Sequence, residues 1–172
     1  LLMMMAALFA LESCKKTELV ESTTSDVNIV GYLDKRTDSF SLFRQILDRT
    51  ETSAFLNAYG AYTCFAPTNS AVTKYLAKIG ASSVAAADLA VLKDMVRLHL
   101  LEDTVYTGSF TDGKLPVITM YGQFLVTSVA NKSGVSSYVV NRQATVLESN
   151  IRVGNGIIHI IDEVLLPASK TI

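Results

Sequence analysis

Two histidines, two cysteines and a few adjacent carboxylates are the residues that could carry chemistry in this 172-residue chain. His99 lies on the apolar stripe of a helix and His159 lies inside an apolar strand. A zinc site needs three or four ligands, and neither histidine has a second ligand at helical i+4 or hairpin spacing, so no metal is expected. Nucleophilic catalysis has no better footing, for there is no G-x-S-x-G elbow and no C-x-x-C. The pairs Glu102-Asp103 and Asp162-Glu163 sit at element ends, where neighbours point to opposite faces and serve capping and solvation rather than acid–base work. Gly154-x-Gly156 lacks the following helix of a phosphate loop and is turn chemistry. Asn131-Lys132-Ser133 fits a glycosylation sequon but is expected only to turn the chain. Cys64, in a buried strand, fits as a small apolar core side chain. The spacing predicts a protein that is not an enzyme and needs no cofactor.

Two stretches position these residues. In Asn155-Gly156-Ile157-Ile158-His159-Ile160-Ile161-Asp162-Glu163-Val164-Leu165-Leu166-Pro167, an Asn-Gly pair supplies the positive φ of a tight turn. The β-branched run that follows is a strand covered on both faces, with His159 on the side of Ile157 and Ile161, and Leu-Leu-Pro ends it. A buried imidazole there should be neutral and bonded to backbone or to the Thr68-Asn69 corner. Tyr62-Thr63-Cys64-Phe65-Ala66-Pro67-Thr68-Asn69-Ser70-Ala71 is another buried strand, broken by Pro67, with Thr68 and Asn69 where a helix cap is needed.

Together the two stretches resemble the paired signature segments of the fasciclin domain, T-x-F-A-P-T-N-x-A and N-G-x-x-H-x-I-D-x-V-L-x-P. The residues that match are Phe65, Ala66, Pro67, Thr68, Asn69, Asn155, Gly156, His159, Ile161, Asp162, Leu165 and Pro167. Where the family has Tyr-His, this chain has Leu98-His99. The resemblance covers residues 26–168 and implies a compact α+β module for adhesion or ligand binding, without general chemistry. Both stretches are expected to meet inside one domain.

The bulk numbers agree with a single domain plus a short extension. About 150 residues bury roughly 68–70% of their unfolded surface, so no staple is required. Hydrophobic content is 49%, and the charge of −1 comes from 15 basic and 16 acidic residues without a same-sign block. That excludes the clustered Lys and Arg on which nucleic-acid binding rests.

The N-terminus resembles an address. Leu1 to Leu11 is apolar, too short to span ~30 Å of hydrocarbon but matched to the apolar core of a signal peptide. Leu11, Ser13 and Cys14 occupy lipobox positions, although Glu12 stands where a small residue is usual. The expectation is therefore a signal peptide over 1–13 that has lost its first residues, a lipidated Cys14, and a polar tether over 14–25. The fasciclin-like domain then fills 26–168, followed by a tail over 169–172.

Periodicity places a helix over Ser39 to Asp48 with Ser39 as its cap, and a short one from Thr52 to Ala58. A strand over Ala61 to Ala66 follows. Next comes a helix from Asn69 to Ile79 with Val72, Tyr75, Leu76 and Ile79 on one stripe, stopped by Gly80. Asp88 caps Leu89 to Leu101, whose stripe is Leu89, Leu92, Val96 and His99. The β-rich half begins at Val105-Tyr106. Val117 to Met120 pairs with Gln123 to Val129, Asn131 to Gly134 turns into Val135 to Val140, and Asn141-Arg142 turns into Ala144 to Glu148. Helices mainly in the N-terminal half, packed against an antiparallel β-rich C-terminal half, make the fold α+β.

Tyr106, Phe110, Tyr121, Phe124 and Tyr138 belong to the core, or, where they cluster on a surface, stack on sugar rings or anchor a protein. The expected role is attachment of a lipid-anchored bacterial envelope protein to matrix, glycan or another envelope protein. The outer membrane or cell surface is the expected place, with the periplasmic-facing leaflet as the other side of the same membrane. Two rivals are a binding module for a small lipid or pigment, and a structural subunit of an envelope complex.

Overall fold

A computed structural model describes residues 27–57, 60–132 and 135–167; the expected signal peptide, lipidated Cys14, tether and tail lie outside the described residues. Five α-helices come first among them: α1 (Ile29–Lys35), α2 (Thr37–Arg49), α3 (Thr52–Leu56), α4 (Asn69–Lys78) and α5 (Leu89–Leu98), with β1 (Tyr62–Pro67) between α3 and α4. The strands β2 (Leu100–Leu101), β3 (Gly113–Ile118), β4 (Phe124–Lys132), β5 (Val135–Val140), β6 (Ala144–Val153) and β7 (Gly156–Ile161) complete the chain. The fold is α+β, with the helices in the N-terminal half.

One sheet runs β2-β1-β7-β6-β5-β4-β3. Every pairing is antiparallel except β1 with β7, which are parallel from Tyr62 opposite Gly156 to Pro67 opposite Ile161. The sheet is therefore mixed rather than purely antiparallel. A bridge from Leu101 to Thr119 and a bond from Met120 N–H to the Leu100 carbonyl (2.8 Å) bring its two ends together. The sheet curls back on itself like a barrel.

β1 and β7 are buried throughout, apart from half-buried Gly156, and divide their side chains between two cores by alternation. Tyr62, Cys64, Ala66, Ile158 and Ile160 face the helices, with Phe40, Val72, Leu92 and Val96 packed against them. Phe65 and Ile161 face the inside of the curl, with Leu115, Leu125, Val140 and Ala144. Leu100 and Leu101 split between the two cores in the same way. At about 25 cal/mol per Å² of apolar surface, this two-sided burial makes the pair the spine of the domain.

Several local expectations are corrected. The second helix starts at Thr37 after Arg36, so Ser39 lies in its first turn and bonds to Asp38 instead of capping. Ahead of it stands α1, which the periodicity had not revealed; Asn28 caps it by accepting from Gly31 N–H at 2.8 Å. α4 ends one residue early and Ile79 is 37% exposed. α5 stops at Leu98, because Leu100 and Leu101 pair with Cys64 and Thr63 instead, and Leu89 is exposed. β4 runs through Asn131 and Lys132 instead of turning there, and residues 133–134 lie outside the described residues. Asn141 and Arg142 do turn the chain, with φ of 52° and 57°. β6 extends to Val153 and carries two bulges: Val146 to Glu148 opposes Ile161 to Ile160, and Glu148 to Ile151 opposes Ile160 to Ile158. Asn150, in the second bulge, has φ 58°.

Candidate functional site

The two signature stretches lie side by side as β1 and β7, and their polar residues bond mainly to main chain. Asn155 does not supply the positive φ. That falls to Gly156, at 146°, where a Cβ would come within 1.9 Å of the Tyr62 carbonyl oxygen. Asn155 instead spends its buried amide on two helices. Its Oδ1 accepts from Ile29 N–H (2.8 Å), its Nδ2 donates to the Leu56 carbonyl, and its own carbonyl accepts from Tyr62 N–H (3.0 Å).

Thr68 follows Pro67, the last residue of β1, and caps α4 by accepting from Ala71 N–H. Asn69 reaches sideways to α2: Oδ1 accepts from Leu42 N–H (2.9 Å) and Nδ2 donates to the Asp38 carbonyl (3.0 Å) and to Ser41 Oγ. Its amide thus straddles one rung of the neighbouring helix. At the end of β7, Asp162 Oδ1 accepts from Thr145 N–H (2.6 Å) and stops the strand, well before Leu-Leu-Pro. Leu165 is buried and Pro167 exposed. Glu163 points outward and pairs with Lys74.

Both histidines are wholly buried. His99 Nε2 accepts from Leu165 N–H (3.0 Å), which leaves the ring proton on Nδ1 to donate to the Met95 carbonyl (2.7 Å). His159 uses the opposite tautomer: Nδ1 accepts from Asn150 N–H (3.3 Å) and Nε2 donates to the Val105 carbonyl (2.9 Å). Its partners are main chain, and the Thr68-Asn69 corner is not among them. Burial pushes the pKa of His99 down to about 4 and also lowers that of His159, in each case against a carbonyl bond that favours the proton. Each ring is a neutral connector between two backbone groups.

Around His159 stand Phe65, stacked at 5.2 Å between ring centroids, and Phe110 at 5.1 Å; Tyr138 meets Phe110 edge-on at 5.5 Å. Phe110 is therefore core and Tyr138 half-buried against it. Tyr106 and Phe124 are exposed, but lie beneath different cations, Arg152 and Lys114. Tyr121 is half-buried. Cys64 is a buried free thiol, its pKa pushed up to about 12 by desolvation, so it carries no thiolate at neutral pH.

Val105-Tyr106 does not open the β-rich half. Residues 103–112 instead form a strap whose anchors follow the strand order. Thr63 Oγ1 on β1 donates to the Asp103 carbonyl (2.6 Å) and accepts from Val105 N–H (2.8 Å). His159 on β7 holds the Val105 carbonyl, and Asn150 on β6 grips Thr107 through both ends of its amide. Phe110 meets Tyr138 on β5, and Thr127 on β4 donates to the Thr111 carbonyl (2.6 Å). Asp112 Oδ1 last accepts from Val129 N–H, also on β4 (2.7 Å). Thr127 and Asn150 had not been singled out from the sequence, where a lone Thr or Asn in a strand carries no signal, and Thr63 had been given no role beyond opening the T-x-F-A-P-T-N-x-A segment.

Among the described residues, no three His, Cys, Asp or Glu side chains gather where they could hold a metal ion. No buried side-chain nitrogen or oxygen among them lacks a partner, so polar capacity inside the domain is spent on architecture. A surface hollow of about 340 Å³ lies between α2 and α4, lined by Leu42, Gln45, Thr73, Leu76 and the 81–84 turn. Another of about 90 Å³ lies beside Lys74 and Glu163.

The comparisons agree with this architecture. The chain is 27% identical over 139 residues to human stabilin-1, covering 80% of this chain but only 5% of that protein. It is 26% identical over 162 residues to protein sll1483 of Synechocystis, covering 94% of this chain and 86% of that one. Among solved structures, a FAS1 domain pair from the insect cell adhesion molecule fasciclin I superposes with a TM-score of 0.55 at 21% identity. That match covers 72% of this chain and 45% of the pair. The Fasciclin domain family model matches residues 38–167, and the chain belongs to that family.

Proposed function

We propose that this protein is a non-catalytic attachment module, held at a bacterial envelope by lipid on Cys14 and binding matrix, glycan or another envelope protein. The observation that carries the reading is the use of the signature residues: His99, His159, Asn69 and Asn155 all bond to main chain inside the domain. Side chains committed in this way build a rigid support and leave recognition to the surface. Membership of a family associated with adhesion supports the same role, and fasciclin I, whose domain pair shares the fold, is itself a cell adhesion molecule.

The anchor rests on the lipobox-like Leu11, Ser13 and Cys14. Each buried CH₂ of an acyl chain contributes about 0.8 kcal/mol, so two or three chains hold a protein firmly. No helix among the described residues is long and apolar enough to cross a membrane. Cys14→Ser is expected to move the protein from the membrane fraction to the soluble one; persistence in membranes removes the anchor from this reading. The soluble form, applied to an array of glycans and matrix proteins, tests attachment. Binding to at least one surface ligand is expected, and a blank array together with a co-purified small lipid or pigment would favour the small-molecule rival.

A further inference from the structure

The strap over residues 103–112 has a property that the attachment role does not require. A single titratable ring holds its carbonyl at Val105 and also the main chain of Asn150, the residue whose side chain holds Thr107. His159 Nε2 donates to the Val105 carbonyl, while Nδ1 accepts the Asn150 N–H, and Asn150 in turn grips Thr107. The Asn150 N–H can only donate. A proton on Nδ1 would therefore set two donors against each other at the bulge in β6.

We propose that His159 is the latch of an acid-released strap. Protonation at Nδ1 ejects the Asn150 N–H and leaves a charged ring buried beside Phe65 and Phe110, so residues 103–112 lift from the β1–β7–β6 face to admit water to it while the helical core stays folded. The strap suits this role because it is held by side-chain tethers rather than by a ladder, so it can open without unpairing the strands of the sheet. Opening would expose the ring stack of Phe65, His159, Phe110 and Tyr138, an aromatic surface hidden at neutral pH.

Among the described residues, no other charge competes for the ring. Around it are Phe65 from β1, Val105 and Phe110 from the strap, and Asn150 from β6. The ionisable groups on those elements are engaged elsewhere or lie exposed. On β1, Tyr62 and Cys64 face the helical core. On the strap, the Asp103 carboxylate accepts from Thr104 N–H, that of Asp112 from Val129 N–H, and Tyr106 lies beneath Arg152 of β6. Glu102, just before the strap, is exposed, and Glu148 of β6 pairs with Arg36. The lowered pKa of His159 agrees with a ring kept neutral while the strap is closed.

Amide exchange followed by NMR in the full chain tests this, with each rate corrected to a protection factor. The closed form excludes the proton and the open form binds it at the ordinary histidine pKa. Protection at Val105, Thr107 and Phe110 should then fall by about tenfold per pH unit below about 6.5. Phe65 N–H, bonded to the His99 carbonyl in the core, reports unfolding of the whole domain; its protection weakens with acid too, as His99 charges in the unfolded chain, but should stay above that of the strap throughout. His159→Gln, which retains a donor and an acceptor but does not titrate, should flatten the response of the strap. Equal protection at the strap and at Phe65 across the range overturns the proposal, as does a strap that opens with the same midpoint in His159→Gln. Where that variant does not fold, the wild-type comparison with Phe65 decides alone.

Discussion

The two faces of the β1–β7 pair are covered by different kinds of chain, and the chemistry beneath them differs for that reason. Helices cover one face. A helix satisfies its own backbone except at its ends, so the strand residues beneath are apolar: Cys64, Ala66, Ile158 and Ile160. Polar side chains enter that side where helices begin, end or meet: Asn155 at the start of α1 and the end of α3, Asn69 against α2. An irregular strap covers the other face. Its N–H and C=O groups have no ladder, and burying them unpaired costs several kcal/mol. The strands must provide the missing partners, which is why Thr63 and His159 stand among Phe65 and Ile161. What lies over a sheet thus decides how polar the sheet beneath must be.

The largest effect should come from breaking the spine that both faces share. Gly156→Ala places a methyl group against the Tyr62 backbone, at a φ of 146° that L side chains rarely adopt. Neither strand can yield without losing six paired positions. Destabilisation above about 4 kcal/mol, or failure to fold, is expected in urea unfolding. A change under about 1 kcal/mol would mean that the close approach of β1 to β7 is not required.

Acid also tests what joins the faces. His99 packs on Phe43 of the helical core at 6.1 Å and holds Leu165 of the inner core through Nε2. Its pKa in the fold is about 4 against an ordinary 6.5. The unfolded chain therefore binds the extra proton, and stability falls as pH falls. Stability is full above about 6.5, and the loss is complete near 4. The gap of about 2.5 units, at about 1.4 kcal/mol each, is of order 3 kcal/mol. Denaturant unfolding across that window should show the loss for the whole domain, and His99→Gln should flatten much of it. A wild-type profile that is level from pH 7 to 4.5 would contradict the neutral buried ring.

Much of this arrangement was legible in the chain, and the part that was not has a common cause. The β-branched run Ile157 to Ile161 marked a strand covered on both faces, and Asp88 and Thr68 marked helix starts, because each signal is local. Local patterns misled where distant pairing prevailed. Leu100 and Leu101 follow a helical stripe closely enough to be read as its last turn, yet they pair with β1. Val105 has strand propensity, yet its N–H and carbonyl are met by side chains from β1 and β7. The bulge at Asn150 exists only in register with β7, and the extra residue it adds to β6 leaves no mark on the apolar pattern. The strap was invisible for the same reason: its anchors come one by one from strands up to 54 residues away.

The smallest effect is the sharpest contrast, since it concerns neighbours in one strand. Thr63 and Cys64 are both fully buried, one beneath the strap and one beneath the helices. Thr63→Val keeps shape and volume but leaves Val105 N–H and the Asp103 carbonyl without their partner. Unmet buried groups cost about 1–3 kcal/mol, and about 2 is expected here because the strap can partly admit water. Cys64→Ala removes a single sulfur that makes no polar bond, for a cavity cost of about 1 kcal/mol. The two variants should differ in kind as well as size. Thr63→Val should raise amide exchange along 103–112 more than across α2 and α5, whereas Cys64→Ala should lower global stability without singling out the strap. If both substitutions act on the whole domain alike, the two faces are one cooperative unit, and the division of labour between helices and strap does not reach the energetics.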